Sequence, residues 1–303
     1  MSSTVGLAAS RLRREPRGRP LGFWAASFQR LLRNKLALFA LFGLLVLAGL
    51  ALSAPLFEQA LGLSRDEINL ANNYQPPNAR HWFGTDEYGR DYFIRMLYGG
   101  QVSMTMGLAV AAVILAIGVP LGLAAGYYGG LFDDVLNWVI QIMVTLPVLY
   151  VLIFVSALIP PAPIVLALII GAFGWMSNAR QARGVTLQLK RAEYVVAARA
   201  LGASDARILF RHILPNIISL MIVLAGFDVV AGAIAETSLS FLGLGVRPPL
   251  PSWGNMLTNA FSYMFRAPYL IVFPVVAISL FVLFVYMLAD GLRDAFDPSL
   301  KES

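Results

Sequence analysis

Between Leu36 and Phe57 the chain runs through 22 residues without one charged side chain. A helix crossing the roughly 30 Å hydrocarbon core of a bilayer needs about 20 mostly apolar residues. Five further stretches meet or approach that requirement: Val102–Gly126, Val135–Leu158, Ile164–Met176, Ile213–Ile234 and Tyr269–Leu288. Their recurrence predicts an all-α integral membrane protein with six transmembrane helices. Composition agrees, since only 13% of the 303 residues are charged, about half the share that clothes a soluble domain. Pro120 and Pro147 lie inside expected spans, where kinks are anticipated and neighbouring helices satisfy the freed carbonyls.

The charges then orient the spans. With six crossings, 17 of the 23 Lys and Arg residues fall on the side of the N-terminus and 6 on the other. The positive-inside rule therefore puts both termini in the cytoplasm. The outer segment Glu58–Gly100 carries six acidic residues against four basic ones. Five or seven spans would put the long basic loop before Ile213 on the wrong side. The basic residues Arg11–Arg19 ahead of an apolar run imitate a secretory leader, but that run is too long for a signal core, so it reads as an uncleaved first span. Phe23–Arg33 mixes Phe23, Trp24, Phe28, Leu31 and Leu32 with Arg30 and Arg33, which fits either an interfacial helix or a plain juxtamembrane anchor.

Several chemistries are excluded. Without cysteine there is no disulfide, thiolate zinc site, iron–sulfur cluster or cysteine nucleophile, and His81 and His212 alone cannot make a histidine-rich metal site. None of Lys35, Lys190 and Lys301 sits in a Gly-x4-Gly-Lys-Ser/Thr phosphate loop. Catalysis inside this chain is not expected, and the net charge of +6 reports topology rather than nucleic-acid binding. Ionisable residues within spans mark function by default. Asp228 near mid-span and Glu236 near the outer end of the fifth span are the candidates, either on a water-filled pathway or paired with a neighbour such as Arg247.

Residues Asn178 to Arg211 have a helical pattern of their own. Tyr194, Ala197, Ala198 and Leu201 follow i, i+3, i+4, i+7 spacing. Gly202 stands where a left-handed cap favours glycine, Ser204 and Asp205 suit the start of a second helix, and Pro215 suits the first turn of the next span. Helix, glycine turn, helix and proline predict a knob, with Arg199, Arg207 and Arg211 as charged edges. Its small-residue face admits another protein's backbone closely, although spacing alone leaves an ordinary lipid-facing loop equally open.

The segment Val196–Gly202, continuing to His212-Ile-Leu-Pro215, resembles the coupling loop of ABC importer permeases, whose pattern is Glu-Ala-Ala, three residues, Gly, nine residues and Ile-x-Leu-Pro. Ala197, Ala198, Gly202, Leu214 and Pro215 match; Val196 replaces the glutamate and His212 the isoleucine, while Glu193 lies one turn earlier. Gly84-Thr-Asp-Glu-Tyr-Gly-Arg-Asp91 is similar to a signature of oligopeptide and dipeptide permeases. So are Leu239–Gly245 with Pro248, Pro249 and Pro251-Ser-Trp-Gly254, and Asp290–Asp294 with Asp297-Pro298. The Arg33-Asn-Lys35-Leu-Ala start of span one fits the second of the two permeases in such systems.

The resemblance implies the type I ABC importer permease fold with a cytoplasmic coupling helix. It implies a cytoplasmic arm and interfacial helix over 1–35, the first span over 36–57 and an extracytoplasmic segment over 58–100. A permease core follows over 101–292, with the coupling loop at 178–211, and then a tail over 293–303. Partners implied are a homologous permease in a heterodimer, two cytoplasmic ATPases that bind ATP and Mg, an extracytoplasmic binding protein, peptide substrate and membrane lipid. No cofactor and no nucleic acid are expected in this chain. The location implied is the bacterial cytoplasmic membrane. Glu193, Tyr194, Ala197, Ala198, Arg199, Leu201 and Gly202 would touch the ATPase; Glu236, Asp228 and Arg247 would serve the pathway or its gate. From the residues themselves, Asp86, Arg90 and Asp91 suit a local ion-pair and capping network that holds span two in register, and the Ser240–Trp253 segment suits a re-entrant element. The runner-up function is a secondary transporter driven by an ion gradient.

Overall fold

The longest helix organises the rest. In the computed structural model, which describes residues 23–158, 162–258 and 260–296, α4 runs unbroken over Tyr92–Tyr128. At 1.5 Å per residue it is about 55 Å long, well over the length that a hydrocarbon core of about 30 Å requires. Before it come α1 (Phe23–Arg33), α2 (Lys35–Leu52) and α3 (Ala54–Leu61). After it come α5 (Gly130–Thr145), α6 (Val148–Leu158), α7 (Pro163–Gly174), α8 (Met176–Leu189) and α9 (Glu193–Ala200). The short α10 (Asp205–Arg207) passes through a π-helical turn, Ile208–Ile213, into α11 (Leu214–Phe241); α12 (Tyr269–Phe296) ends the described chain. Among the described residues no strand forms, only an isolated bridge between Thr85 and Asp91. Arg11–Arg19, the side chains of Phe23 and Trp24, and Asp297-Pro298 lie outside the described residues.

Four helical segments are long and apolar enough to cross a membrane: α2, α4, α10 continuing into α11, and α12. The count reaches six if the bent pairs α5–α6 and α7–α8 each make one crossing. The third expected span is therefore not a straight helix; it turns by 83°. Pro147 causes the break: it has no N–H to donate and bars its predecessor from helical geometry, and Leu146 is extended at φ −79°, ψ 130°. The fourth expected span ends as α7 at Gly174, and after a 48° bend the chain continues as α8. Asn178, Ala179, Ala182 and Thr186 of α8 are buried, so the first third of the expected coupling loop is a helix laid along α4. Pro120 leaves α4 continuous.

Packing follows membrane rules. Lipid tails are as apolar as leucine, so helices associate through close backbone approach and interhelical hydrogen bonds rather than through the hydrophobic effect. Gly118, Gly122 and Gly126 form a small-residue stripe on α4, and a Cβ on Gly122 would stand 2.2 Å from the Ala179 carbonyl oxygen of α8. α11 packs on α4 next to α8, α12 packs on α11, and α2 closes against α12 and α4. The turn that leads into α4 is tied by its own residues. Asp91 caps α4 by accepting from the Ile94 N–H (2.8 Å) and holds His81 Nδ1 at 2.8 Å. Asp86 accepts from the Tyr88 and Arg90 N–H groups at 2.9 and 3.0 Å and pairs with Arg90 Nε at 2.7 Å. Gly89, at φ +72°, leaves no room for a Cβ against the Asn69 carbonyl. The ion-pair and capping network expected of the Gly84–Asp91 motif is present.

Candidate functional site at the two ends of the core

One end of α4 carries the knob. α9 covers Glu193–Ala200, with Glu193 in its first turn, where a negative charge suits the helix dipole. Its C-terminus closes through Gly202 at φ +81°, whose N–H donates to the Arg199 carbonyl at 3.0 Å while the Ala203 N–H donates to that of Ala198 at 3.0 Å. Only glycine occupies that left-handed position without penalty. Val195 is buried in a cluster with Leu123, Tyr127, Ile208, Ile213 and Ile217, and it anchors the helix. Tyr194, Val196 and Ala197 are exposed, Ala198 is half-buried, and Leu201 is 88% exposed just past the last helical turn. The outward surface is thus broader than the i, i+3, i+4 face, because it also includes Val196.

Arg199 is not a free charged edge. Its Nη2 donates to the Tyr127 hydroxyl at 3.3 Å, and its guanidinium stands 5.6 Å from that ring's centre. Tyr127, at the last turn of α4, in turn donates to Asp205 Oδ1 at 2.5 Å, and its carbonyl accepts from Lys190 Nζ. One buried tyrosine therefore ties both helices of the knob to the core. At the same end, the Arg183 guanidinium of α8 pairs through two hydrogen bonds with Asp133 of α5. Motif spacing does not mark Tyr127 or the Asp133–Arg183 pair; their partners lie 50 to 78 residues away. The aromatic that ends an apolar run is the one available signal for Tyr127.

Asp228 and Glu236 are not brought together. Asp228, half-buried on α11, accepts from Asn178 Nδ2 of α8 at 2.6 Å. Glu236 is fully buried and does not line the cavity between the turn before α4 and the loop after α11. Its Oε1 accepts from Ser240 Oγ at 2.7 Å and its Oε2 from Ser103 Oγ of α4 at 3.2 Å. Each hydroxyl then accepts a backbone N–H from the loop after α11: Val246 on Ser240 (3.0 Å) and Trp253 on Ser103 (3.1 Å). Asn255 donates to the Val246 and Leu250 carbonyls, and Trp253 Nε1 donates to the Met96 carbonyl at 3.0 Å. The carboxylate thus pins a Gly- and Pro-rich loop down onto α4. Arg247, the neighbour considered for it in the sequence, is exposed and makes no ion pair among the described residues. Ser103, Ser240 and Asn255 were not singled out by sequence; a run of hydroxyls, Thr237 to Ser240, beside an intramembrane glutamate is the signal that points to them.

Two family profiles match this architecture. Residues 118–302 match the binding-protein-dependent transport system inner membrane component, and residues 22–77 match the N-terminal TM domain of oligopeptide transport permease C. The oligopeptide transport system permease protein OppC of Bacillus subtilis is 35% identical over 282 residues, covering 93% of this chain and 92% of the relative. The dipeptide transport system permease protein DppC of Alkalihalophilus pseudofirmus is 37% identical over 283 residues, with 92% and 90% covered. The glutathione transport system permease protein GsiD of Pectobacterium atrosepticum is 38% identical over 281 residues, with 92% of each covered. A helical core whose two profile matches and whole-length relatives all agree leaves one assignment: the chain belongs to the binding-protein-dependent transport system inner membrane components, the permease subunits of ABC importers.

Proposed function

We propose that this permease imports small peptides, that it forms one half of a pathway shared with a homologous permease, and that α9 is the point at which ATPase motion enters it. The observation that carries the coupling role is the knob itself: an exposed face of Tyr194, Val196, Ala197 and Leu201 on a helix clamped through Tyr127 to the end of the longest helix. A push on α9 reaches α4 and α11 as rigid bodies, because Val195, Tyr127 and Ile208 share one buried cluster. The side that carries α9 is cytoplasmic, as are both termini, on the distribution of Lys and Arg. ATP and Mg belong to two partner ATPases, and a binding protein delivers substrate to the opposite side.

The relatives named for oligopeptide, dipeptide and glutathione transport support a peptide class of substrate. The relatives give no support to an ion-gradient mechanism, and Asp228, the carboxylate such a mechanism would call on, is held by Asn178. In this reading Glu236 holds the outer loop rather than touching substrate. Peptide uptake into proteoliposomes holding the assembled transporter and its binding protein tests the proposal. Uptake is expected to require ATP on the ATPase side, and Leu201→Asp is expected to lower it at least ten-fold with the thermal midpoint unchanged. Uptake driven by a proton or sodium gradient alone overturns it.

A further inference from the structure

A cavity of about 370 Å³ opens at the outer end, between the turn that precedes α4 and the loop that follows α11. Its walls are apolar and aromatic where Tyr92, Tyr263, Pro248 and Pro249 line it, and Glu87, Arg95 and Arg247 bring charge to it. Such a volume lies at the small end of the range for small-molecule sites, roughly 300–1,000 Å³.

Arg95 is the unusual member. Its side chain is 5% exposed, and its Nε finds no hydrogen-bond partner among the described residues. The nearest carboxylate oxygens stand at 3.5 Å (Asp86 Oδ2 from Nε) and 3.7 Å (Asp66 Oδ1 from Nη1), and the Arg65 carbonyl oxygen is 3.4 Å from Nη1. A formed guanidinium–carboxylate contact is about 2.7–2.9 Å. Asp86 makes such a contact at 2.7 Å, but with Arg90, so its Oδ2 is already committed. A guanidinium withdrawn from water without close anionic oxygens is costly to the fold. Glu87, half-buried in the same cavity, forms no ion pair among the described residues. Burial, with the Asp86 charge adding to it, raises its carboxyl above the ordinary value, so an approaching cation would favour its ionised form.

We propose that this cavity binds a small zwitterionic peptide, its terminal carboxylate on Arg95 and its ammonium group toward Glu87, as a subsite on the outer face of the permease. The proposal rests on the peptide-import reading above. The volume admits a di- or tripeptide whole, or the terminal residues of a longer chain. The aromatic and proline walls accept varied side chains by contact, without a hydrogen bond that would select one of them.

The test uses the assembled transporter in nanodiscs without binding protein, with dialanine, its C-terminal amide and its N-acetyl form as probes. Saturable dialanine binding is expected, at least ten-fold weaker for the amide and weaker again for Arg95→Lys. Glu87→Gln is expected to bring dialanine and its N-acetyl form to similar affinity; being at a half-buried surface position, it serves if Arg95→Lys fails to assemble. Equal binding of acid and amide, or dialanine affinity unchanged in both variants, overturns the cavity proposal. ATP-driven uptake by the same wild-type complex, reconstituted with its binding protein in proteoliposomes, separates the two ideas: uptake with no cavity effect removes the subsite alone, whereas absence of peptide uptake removes the reading beneath it.

Discussion

The two ends of the helical core are built on opposite plans. At the α9 end, apolar and small side chains face outward, with Leu201 almost wholly exposed, and one valine and one tyrosine hold the knob in place. At the opposite end a fully buried carboxylate, the hydroxyls of Ser103, Ser240 and Ser252 (the last accepting from the Asn255 N–H), Asn255 and Trp253 turn a Gly- and Pro-rich loop into fixed structure. The first end leaves an apolar surface exposed and ties the helix beneath it to the core through Val195 and Tyr127. The second pairs most of its polar groups internally and leaves the Arg95 Nε beside an open cavity without a partner among the described residues. In the coupling role proposed for it, such an element has to be touched and to pass on its motion, so an exposed apolar face on a firmly clamped helix suits it. A loop packed down among buried helices has to keep its backbone polar groups paired, and buried hydroxyls relaying to a carboxylate do that at little cost in volume.

This contrast can be broken most sharply at Glu236. Glu236→Leu strips the acceptor from the Ser103 and Ser240 hydroxyls together, and a buried donor left unpaired costs about 1–3 kcal/mol. The expected result is a loss of about 2–5 kcal/mol in unfolding of the purified chain in detergent, with early proteolysis in residues 242–258. Glu236→Gln keeps acceptor capacity and should lower uptake of cationic and neutral peptides by the same factor. A selective effect on cationic peptides would return Glu236 to the pathway.

A smaller effect is expected at the α9 end from Gly202→Val. The left-handed conformation there costs a side chain about 1–2 kcal/mol, and a β-branched one has least tolerance for it. ATP hydrolysis by the assembled complex should persist while uptake falls at least ten-fold, and Gly202→Asn should recover part of the uptake. Uptake and hydrolysis lost in equal proportion in the valine variant would mean that the turn supports assembly rather than coupling.

The smallest effect belongs to Tyr127→Phe, which keeps the buried ring but removes the hydroxyl shared by Asp205 and Arg199. A stability loss of about 1 kcal/mol is expected, together with a few-fold drop in uptake per ATP hydrolysed. A variant with unchanged stoichiometry would assign the clamp to Val195 and its apolar cluster alone.

Much of this was legible before any coordinates. Leu36–Phe57 reads as a membrane helix because it is uncharged, and α2 occupies most of that run. Gly202 reads as a cap because a glycine follows a short helical pattern, and its φ of +81° is what such a cap requires. The Gly84–Asp91 spacing reads as a self-bonded turn because Asp86, Arg90 and Asp91 are close along the chain. What stayed hidden has partners far away in sequence. Ser103 meets Glu236 across 133 residues, and Asn178 meets Asp228 across 50. Helical pattern likewise extends the coupling loop back to Asn178, but only the glycine stripe of α4 shows that residues up to Thr186 are packed rather than free.

The division has a physical cause. Hydropathy, charge sidedness, caps and prolines act within one or two helical turns, so the chain alone determined that it spans a membrane and where the knob lies, and it marked Pro120 and Pro147 alike for a kink, although only Pro147 breaks its helix. Tertiary structure decided how far that break turns, which residues clamp the knob, and that Glu236 anchors a loop. Between helices in lipid, association depends on close fit and on which polar groups meet, and such meetings exist only once distant segments are brought together.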